Sequence, residues 1–305
     1  MGTKTPLMGD YQPGGAFSYA DIKRHPAGVW FVGSTVTGAS DTAGFGYNPD
    51  KPAATLDYIN SVATASAGDV VYLLPGHVET VTEAGGLDMD CIGLHVIGCG
   101  HGTLQPVIEL TTIASADIDI DAASVTFENV HFRAGVADIV AAIDVNCADL
   151  TIRNCRFSQE DDDLNALIWI QDHATTTTSN RITVEDCIIY AYDASNTHFI
   201  NYSGTGDGHI FRRNVLIGDW GTMAVGGAGV ITNANISDNY IYNAANTANG
   251  CLNFDASATG VMMNNRVGNA AVQNSQITAT GMSKNENYAC VVAEDLNGIL
   301  EPAGA

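Results

Sequence analysis

The chain of 305 residues is 46% apolar and 15% charged, and its net charge is −22. This apolar content excludes a disordered chain and allows a large core. No basic run occurs, which excludes nucleic acid as an expected partner, because phosphate contacts need clustered cations. No apolar run approaches the length of a membrane span, so we expect no membrane partner.

The N-terminal part predicts an arm followed by a helix. Residues 1–28 are rich in Gly and Pro, carry little helix or strand signal, and are predicted to form an extended assembly arm. The segment KPAATLDYINSVATASAGD predicts a helix over about 52–67, since a proline precedes its apolar pattern and a glycine follows it. Such a helix can cap the open end of a stack of strands. Its predicted apolar face consists of Leu56, Ile59 and Val62.

A short phrase then recurs along the chain, with Asn or Asp always in the fifth place. Successive fifth places lie 24 to 32 residues apart, a period that indicates a solenoid. The phrases are VTFENVHF (125–132), LTIRNCRF (150–157), ITVEDCII (182–189), IFRRNVLI (210–217), ANISDNYI (234–241) and VMMNNRV (261–267). The fifth positions are Asn129, Asn154, Asp186, Asn214, Asp238 and Asn265.

The apolar residues of each phrase alternate, which is strand periodicity, and the alternation changes phase at the fifth place. Asn and Asp tolerate the left-handed backbone region, so we expect them at a corner, stacked into a ladder about 4.8 Å apart. These features predict an all-β chain that forms a parallel β-helix of about eight coils over residues 29–270. Further strand-like segments lie at 116–122, 141–148, 165–173, 198–204, 228–234 and 250–257.

The segment NPDKPAATLDYINSVATASAGDVVYLLPGHVETV (48–81) resembles the opening of pectate-lyase-like right-handed β-helix proteins. Together with the coils that follow, to about residue 270, it resembles the small β-helix proteins of tailed-phage virions. The resemblance implies a right-handed coil and a homotrimer. It selects no activity, because this superfamily includes lyases, hydrolases and inert structural proteins.

One strand-like phrase, DIDID, raises the question of a metal site. It places three carboxylates on one face of a strand and two isoleucines on the other. Such a row could hold Ca²⁺, which prefers oxygen ligands, and the lyases that the chain resembles use Ca²⁺ with an arginine base. Alternation alone also explains the pattern as a solvated outer face, and we favour that interpretation. No cofactor is predicted, and the candidate ligands are Asp117, Asp119 and Asp121.

The acidic run SQEDDDLN (158–165) is the other candidate for chemistry. Glu160 with one of the residues 161–163 could form the acid and base of a glycosidase, although such a run is more typical of a solvated loop. We assign no catalytic residue and no cofactor-binding residue. The seven cysteines include no C-x-x-C pair, which indicates reduced thiols packed in a core.

The function that we favour is a structural protein of a tailed-bacteriophage virion. It would be a homotrimer that decorates the head or belongs to the tail. It would contact other virion proteins through residues 1–28 and a C-terminal cap or tail over residues 271–305. One alternative is a short tailspike-type polysaccharide depolymerase, which predicts carboxylates about 5–9.5 Å apart in an outer groove. Another is a non-catalytic glycan-binding adhesin, which predicts exposed aromatic side chains in a groove without such a pair.

Overall fold

The computed structural model describes residues 28–172, 179–245, 250–269 and 277–291, and these form a parallel β-solenoid of about eight coils. The prediction of an all-β parallel β-helix is confirmed. Each coil runs through a strand of a first sheet, a sharp corner, a strand of a second sheet, a turn, and a strand of a third sheet. The arm predicted over residues 1–28 lies almost entirely outside the described residues, as does everything after residue 291.

Strands of successive coils pair in parallel within each sheet. The first sheet contains β1 (Val29–Val32), β2 (Val70–Leu73), β5 (His95–Gly98), β8 (Thr126–Glu128), β11 (Thr151–Arg153), β14 (Thr183–Glu185), β18 (Ile210–Arg212), β22 (Ala234–Ser237), β25 (Gly260–Met263) and β28 (Met282–Asn285). The second contains β3 (Val78–Val81), β6 (Val107–Leu110), β9 (His131–Ala134), β12 (Arg156–Gln159), β15 (Ile188–Ala191), β19 (Val215–Gly218), β23 (Tyr240–Asn243), β26 (Arg266–Asn269) and β29 (Tyr288–Val291).

The third sheet contains β4 (Leu87–Met89), β7 (Ile118–Ile120), β10 (Ile143–Val145), β13 (Ile168–Asp172), β16 (His198–Tyr202), β20 (Val225–Gly227), β24 (Leu252–Phe254) and β27 (Ile277–Thr278). A separate pair consists of β17 (Gly206–Asp207) and β21 (Ile231–Thr232). The predicted strand-like segment 228–234 contains β21, which lies outside the third sheet. The strand that this coil contributes to the third sheet is β20 instead. The sequence gives no strand signal for β20 because two of its residues are Gly226 and Gly227. A Cβ at either position would overlap backbone oxygens of an adjacent coil, so no side chain is available to alternate there.

The core lies inside the coil, where inward side chains of successive coils stack. Phe132 and Phe157 are register partners on β9 and β12, with ring centroids 5.0 Å apart. Phe199 meets Phe157 edge-on at 5.1 Å. Six cysteines with described side chains are free thiols, and all but Cys99 are buried. These contacts show that alternating apolar residues hold the coils together by close packing.

A helix, α1 (Leu56–Val62), covers the end of the first coil and is shorter than the predicted 52–67. Thr55 is its N-cap, accepting a hydrogen bond from the Tyr58 backbone N–H at 3.2 Å. Val62, predicted to face the core, is 40% exposed, and Asn60 is buried instead. The Asn60 side chain donates to the Asp88 carbonyl and accepts from the Cys91 N–H, which ties the helix to the coil below.

The corner between the first and second sheets has a left-handed residue in every coil from β8 onward. Four predicted corner residues have positive φ: Asn129 (56°), Asn154 (52°), Asp186 (56°) and Asp238 (58°). The assignment was wrong for Asn214 and Asn265. Their preceding residues, Arg213 (φ 56°) and Asn264 (φ 54°), form the corner.

The strand register explains this error. Glu185 pairs with Arg212, and Ser237 pairs with Met263, so Asp186 corresponds to Arg213 and Asp238 to Asn264. Asn214 and Asn265 belong to the next, inward-facing position. At this inward position the earlier coils have Val130, Cys155 and Cys187, whereas the later coils have asparagines that form a buried ladder. The ladder consists of Asn214, Asn239, Asn265 and Asn287.

Each ladder amide satisfies backbone groups that the corner leaves without a sheet partner. The Asn239 Nδ2 donates to the Phe211 carbonyl at 2.9 Å, and its Oδ1 accepts from the Asn214 backbone N–H at 3.0 Å. Its Nδ2 also donates to Asn265 Oδ1 at 2.9 Å. The ladder therefore joins consecutive coils through fully buried hydrogen bonds, which are costly to break.

The repeat continues beyond the predicted limit at residue 270. Strands β27, β28 and β29 pair in parallel with β24, β25 and β26, and they extend the coils to Val291. Glu286 takes the left-handed corner (φ 52°), and Asn287 supplies the last ladder amide. This coil was not predicted from the sequence because its corner residue is Glu and not Asn or Asp. In the described part of the chain, no helix has the length and hydrophobicity needed to cross a bilayer.

Candidate functional site on the outer face of the second sheet

The outer face of the second sheet carries polar, charged and aromatic side chains. Alternation along its strands buries every second residue and turns the others outward. His131 and Arg156 are register partners on adjacent strands, and Arg156 in turn pairs with Ile188. Ser158 pairs with Tyr190 in the same way. Strands β9, β12 and β15 therefore form a continuous outer surface with polar groups and an aromatic ring side by side.

A groove crosses this surface and consists of two adjoining depressions of about 350 Å³ each. Arg156 and Tyr190 line both depressions, so they mark its middle. The first depression extends toward the corner, past Gln105, Asn129, Asn154, Cys155, Asp186 and Ile188. The second extends the other way, past Ser158, Gln159, Glu160, Asp161, Asp162 and Tyr192.

Two tyrosines, Tyr190 and Tyr192, line the second depression. The Tyr190 and Tyr192 rings are nearly parallel, at 17°, with centroids 6.3 Å apart, and Tyr192 is 60% exposed. The Gln159 side-chain oxygen accepts hydrogen bonds from the backbone N–H groups of Tyr192 and Asp193. These hydrogen bonds fix the backbone of Tyr192 next to β15.

Arg156 contributes a positive charge at the groove centre that is not used within the described chain. Most described arginines are ion-paired, whereas Arg156 is exposed and forms no ion pair with a described residue. Burial, and then the charges of Arg156 and Arg133, lower the pKa of His131 to about 4. His131 is therefore neutral near pH 7, and its Nε2 lies 2.7 Å from the Ser158 Oγ. The ion pairs of the other arginines mentioned above are Arg133–Glu109, Arg153–Glu128, Arg181–Asp149, Arg212–Glu185 and Arg213–Asp186.

The acidic run 158–165 lies at the rim of this groove. Glu160, Asp161 and Asp162 are exposed and line the second depression. The Asp161 carboxylate accepts the Asp162 backbone N–H at 2.8 Å, and its carbonyl accepts the Leu164 N–H at 3.1 Å. The run is therefore a tight acidic turn that gives the groove a negative edge.

Beyond the groove, the same sheet exposes a second surface, which we call the association face. Tyr240, Tyr242 and Tyr288 are 48%, 40% and 46% exposed, and Val215 and Ile217 are half-buried beside them. Tyr240, Arg266 and Tyr288 are register neighbours in successive coils. Asp and Glu are absent from the outward positions of β19, β23 and β26. The association face consists of Val215, Ile217, Tyr240, Tyr242, Arg266 and Tyr288.

The candidate metal ligands lie on the third sheet, far along the coil from the groove. Asp117 accepts the Gly85 backbone N–H, and Asp121 accepts the Asn146 side-chain amide at 2.9 Å. Asp119 is the register partner of Asp88 below and Asp144 above. Burial, followed by neighbouring carboxylates, raises the pKa of Asp119 to about 6. Among the described residues, no group of three or more His, Cys, Asp or Glu side chains has an arrangement that could hold a metal ion.

The groove and the association face were not predicted from the sequence, although a signal exists. In CIIYAYD and DNYIYN the residues on both faces of the strand are apolar or aromatic. A strand of that kind indicates a sheet covered on both sides. The corner residues Asn129, Asn154 and Asp186 reach the groove rim, whereas Asn214 and Asn265 point into the core.

Comparison with known proteins supports the fold. No protein-family model matches the chain, and no curated protein matches it. Among solved structures, the chain is similar to a pectin methylesterase from Aspergillus niger, with 13% identity and a TM-score of 0.52, over 92% of this chain and 91% of that one. At this identity the likeness shows the β-helix fold alone.

Two further solved structures match the chain at lower similarity. A rhamnogalacturonan lyase matches with 12% identity and a TM-score of 0.46, over 85% of this chain and 87% of that one. The ORF18 protein of Geobacillus virus E2 matches with 11% identity and a TM-score of 0.30, over 86% of this chain and 61% of that one. Similarity at this level carries no functional argument.

Proposed function

We propose that this protein is a structural component of a tailed-phage virion that acts as a homotrimer. The observation that carries the self-association in this proposal is the association face. Tyrosine and arginine side chains are enriched at protein interfaces, and acidic residues are depleted there. Exposed apolar side chains that are contiguous across several coils are a stronger signal than scattered ones.

Charge favours a second copy of the chain as the occupant of this face. Two molecules with a net charge of −22 repel each other in most orientations. On the association face the only charged residue is Arg266, since the outward positions of β19, β23 and β26 carry no Asp or Glu. This face therefore lets two copies approach with less repulsion than the carboxylate-lined third sheet would. A closed ring of three copies would bury it in each subunit.

The assignment to a virion rests on the resemblance of residues 29–270 to small phage β-helix proteins, together with the stack itself. A solenoid with a packed core and buried asparagine ladder is a stiff rod, which suits a component that projects from a particle. Contacts with other virion proteins would fall to residues 1–28 and to those after Val291. Decoration of the head and attachment to the tail both remain compatible with this arrangement.

The test is the copy number of this chain in purified phage particles from its source, measured by mass spectrometry against the major shell protein. We expect the chain in the particle at a multiple of three. Hundreds of copies would assign it to the head, and a handful to the tail. Its absence from the particle would contradict the proposal.

A further inference from the structure

We propose that Cys155 and Cys187 are a modification site, a thiol pair that hydrogen peroxide oxidises to a disulfide between two adjacent coils. Both residues are free thiols in the structure. The pair lies in the interior of the coil, so its oxidation is independent of the virion assignment. Three observations support the site: the register of the two cysteines, the contacts of their sulfur atoms, and the position of Cys155 at the groove.

The strand register places the two cysteines opposite each other. Strands β11 and β14 pair in register before the corner, and β12 and β15 pair in register after it. Each corner has two residues between its strands, and the second of them is Cys155 in one coil and Cys187 in the next. The Ile188 backbone N–H donates to the Cys155 carbonyl at 3.0 Å, so the coils are closely stacked at this point. Adjacent strands lie about 4.8 Å apart, within the Cα separation of about 4.4–6.8 Å that disulfides bridge.

The contacts of the sulfur atoms show that the two side chains are neighbours. Cys187 Sγ is directed toward the coil of Cys155 and lies 3.7 Å from the Ile152 carbonyl oxygen of that coil. The Cys187 thiol also has a side-chain hydrogen bond with Cys155. Cys155 Sγ lies 3.7 Å from the Phe127 carbonyl oxygen, on its other side. A rotation about the Cα–Cβ bond of Cys155 therefore brings the two sulfurs together without moving the backbone.

No other two of the six described cysteines are opposed in adjacent coils. Cys91 and Cys147 have equivalent positions, each two residues after a third-sheet strand, but the coil that contains Ala122 lies between them. Their separation is therefore twice the strand spacing, or about 9.6 Å, which is too far for a disulfide. Cys147 is as buried as a core cysteine can be compared with Cys155, at 6% and 2% exposed, and it provides a control.

Access to solvent selects Cys155 as the thiol that reacts first. Cys155 lines the first depression of the groove, whereas Cys187 is fully buried. Burial raises the pKa of the Cys187 thiol well above its usual range, and the thiolate is the reactive form. The oxidant must be small, because only the edge of Cys155 meets the depression. Hydrogen peroxide, which is little larger than water, meets this condition.

The oxidation has two steps. The Cys155 thiolate attacks one oxygen of hydrogen peroxide, the O–O bond breaks, and hydroxide leaves, which gives a sulfenic acid at Cys155. The Cys187 sulfur then attacks the Cys155 sulfur, the S–O bond breaks, and the departing hydroxide takes the Cys187 proton as water. The first hydroxide takes the proton that Cys155 had lost. Two thiols are thereby oxidised to one disulfide, and one peroxide is reduced to two waters.

The disulfide would extend the asparagine ladder by a covalent link. The ladder begins one coil later, where the Asn214 side-chain oxygen accepts the Cys187 backbone N–H at 2.9 Å. The two cysteines occupy the same inward position in the two coils before it. They are 32 residues apart in sequence, and a disulfide that closes such a loop restricts the unfolded chain. We therefore expect the oxidised chain to unfold at a higher temperature than the reduced chain.

The experiment treats the reduced full chain with hydrogen peroxide, blocks the remaining thiols, and maps the peptides without reduction. Trypsin cleaves after Arg153, Arg156 and Arg181, so Cys155 and Cys187 lie in separate peptides. We expect a linked pair of peptides, 154–156 with 182–212, lighter than their sum by two hydrogen atoms. The midpoint of thermal unfolding should rise by at least about 3 °C on oxidation and return on reduction.

Two variants test the assignment. Cys187→Val removes one partner and introduces the residue type of Val130, which occupies the same inward position in an earlier coil. It should abolish the linked peptides and the rise in the unfolding midpoint. Cys147→Ala, the control, introduces the residue type of Ala122 in the adjacent coil and should preserve both.

Three outcomes would overturn the inference. They are a Cys155 that stays a free thiol in peroxide, a Cys155 that is oxidised to sulfinic or sulfonic acid without a link, and a link from Cys155 to a cysteine other than Cys187. The peptide map of the parent chain decides among these even if a variant does not fold. The virion proposal fails independently, through the copy number in particles.

Discussion

The outer faces of the first and second sheets satisfy their polar groups in different ways. On the first sheet Glu128, Arg153, Glu185 and Arg212 follow one another in register. Arg153 binds Glu128 at 2.8 Å, and Arg212 binds Glu185 at 2.7 Å. On the second sheet the corresponding coils expose tyrosines, aliphatic side chains and an arginine without an ion pair. On the first face the charged side chains pair with one another within one chain. The second face has the composition of a surface that another molecule covers.

The asparagine ladder lies at the corner that joins these two faces, so breaking it should have the largest effect. In Asn239→Ala the Phe211 carbonyl and the Asn214 N–H lose their buried partner. We expect a loss of about 2–4 kcal/mol in the free energy of unfolding, measured by urea denaturation. Asp238→Asn, at the neighbouring exposed corner, is the control and should change stability by less than about 0.5 kcal/mol. Equal effects of the two changes would contradict the role of the ladder.

A charge placed on each face tests the comparison directly. Tyr242→Glu puts an acid on the association face, and Met263→Glu puts one on the first-sheet face at a similarly exposed position. We expect Tyr242→Glu to weaken self-association at least about 100-fold, because the acids of neighbouring copies would repel. Met263→Glu should leave association unchanged in sedimentation velocity. If both variants associate like the parent chain, self-association does not use the second sheet.

We expect a buried carboxyl, that of Asp172, to control how the stability of the fold depends on pH. Burial, and secondarily Asp144, raises the pKa of the Asp172 carboxyl to about 7. Because the folded state then binds this proton more tightly than the unfolded state, stability falls as pH rises from about 4 to 7. The slope is at most about 1.4 kcal/mol per pH unit. Asp172→Asn should flatten that slope in thermal unfolding, and an unchanged slope would assign the dependence to other groups.

The smallest effect is expected from the first-sheet ion pairs. Arg153→Met keeps the length of the side chain and removes its pairing with Glu128. Because both side chains are partly exposed, the loss should be below about 1 kcal/mol and should shrink further at high salt. A loss of several kcal/mol would mean that the outer ladder, and not the packed interior, holds these coils together.

Alternation and period were sufficient to predict the β-helix because both are local consequences of strands that return to the same place. They were not sufficient to place every corner. Arg213 and Glu286 adopt the left-handed conformation although neither residue type signals it, so the Asn beside each was either assigned wrongly or missed. Only the register between coils identifies the inward position that Asn214 and Asn287 occupy.

The candidate site was harder to predict because it depends on contacts between distant parts of the chain. Gln159 and Tyr192 are separated by a whole coil in sequence, and the hydrogen bond between them exists only once β12 and β15 stack. No sequence motif marks Gln159 and Tyr192 as partners. Strands that are apolar on both faces were visible in the sequence, but one chain's sequence carries no local signal for what would cover their outer side.

The most direct test of the central claim is the mass of the full-length chain in solution, measured by multi-angle light scattering during size-exclusion chromatography. We expect a particle of three chains of 31.9 kDa each, stable on dilution to low micromolar concentration. A single species at the mass of one chain would contradict it, because the association face would then be exposed to water without a partner.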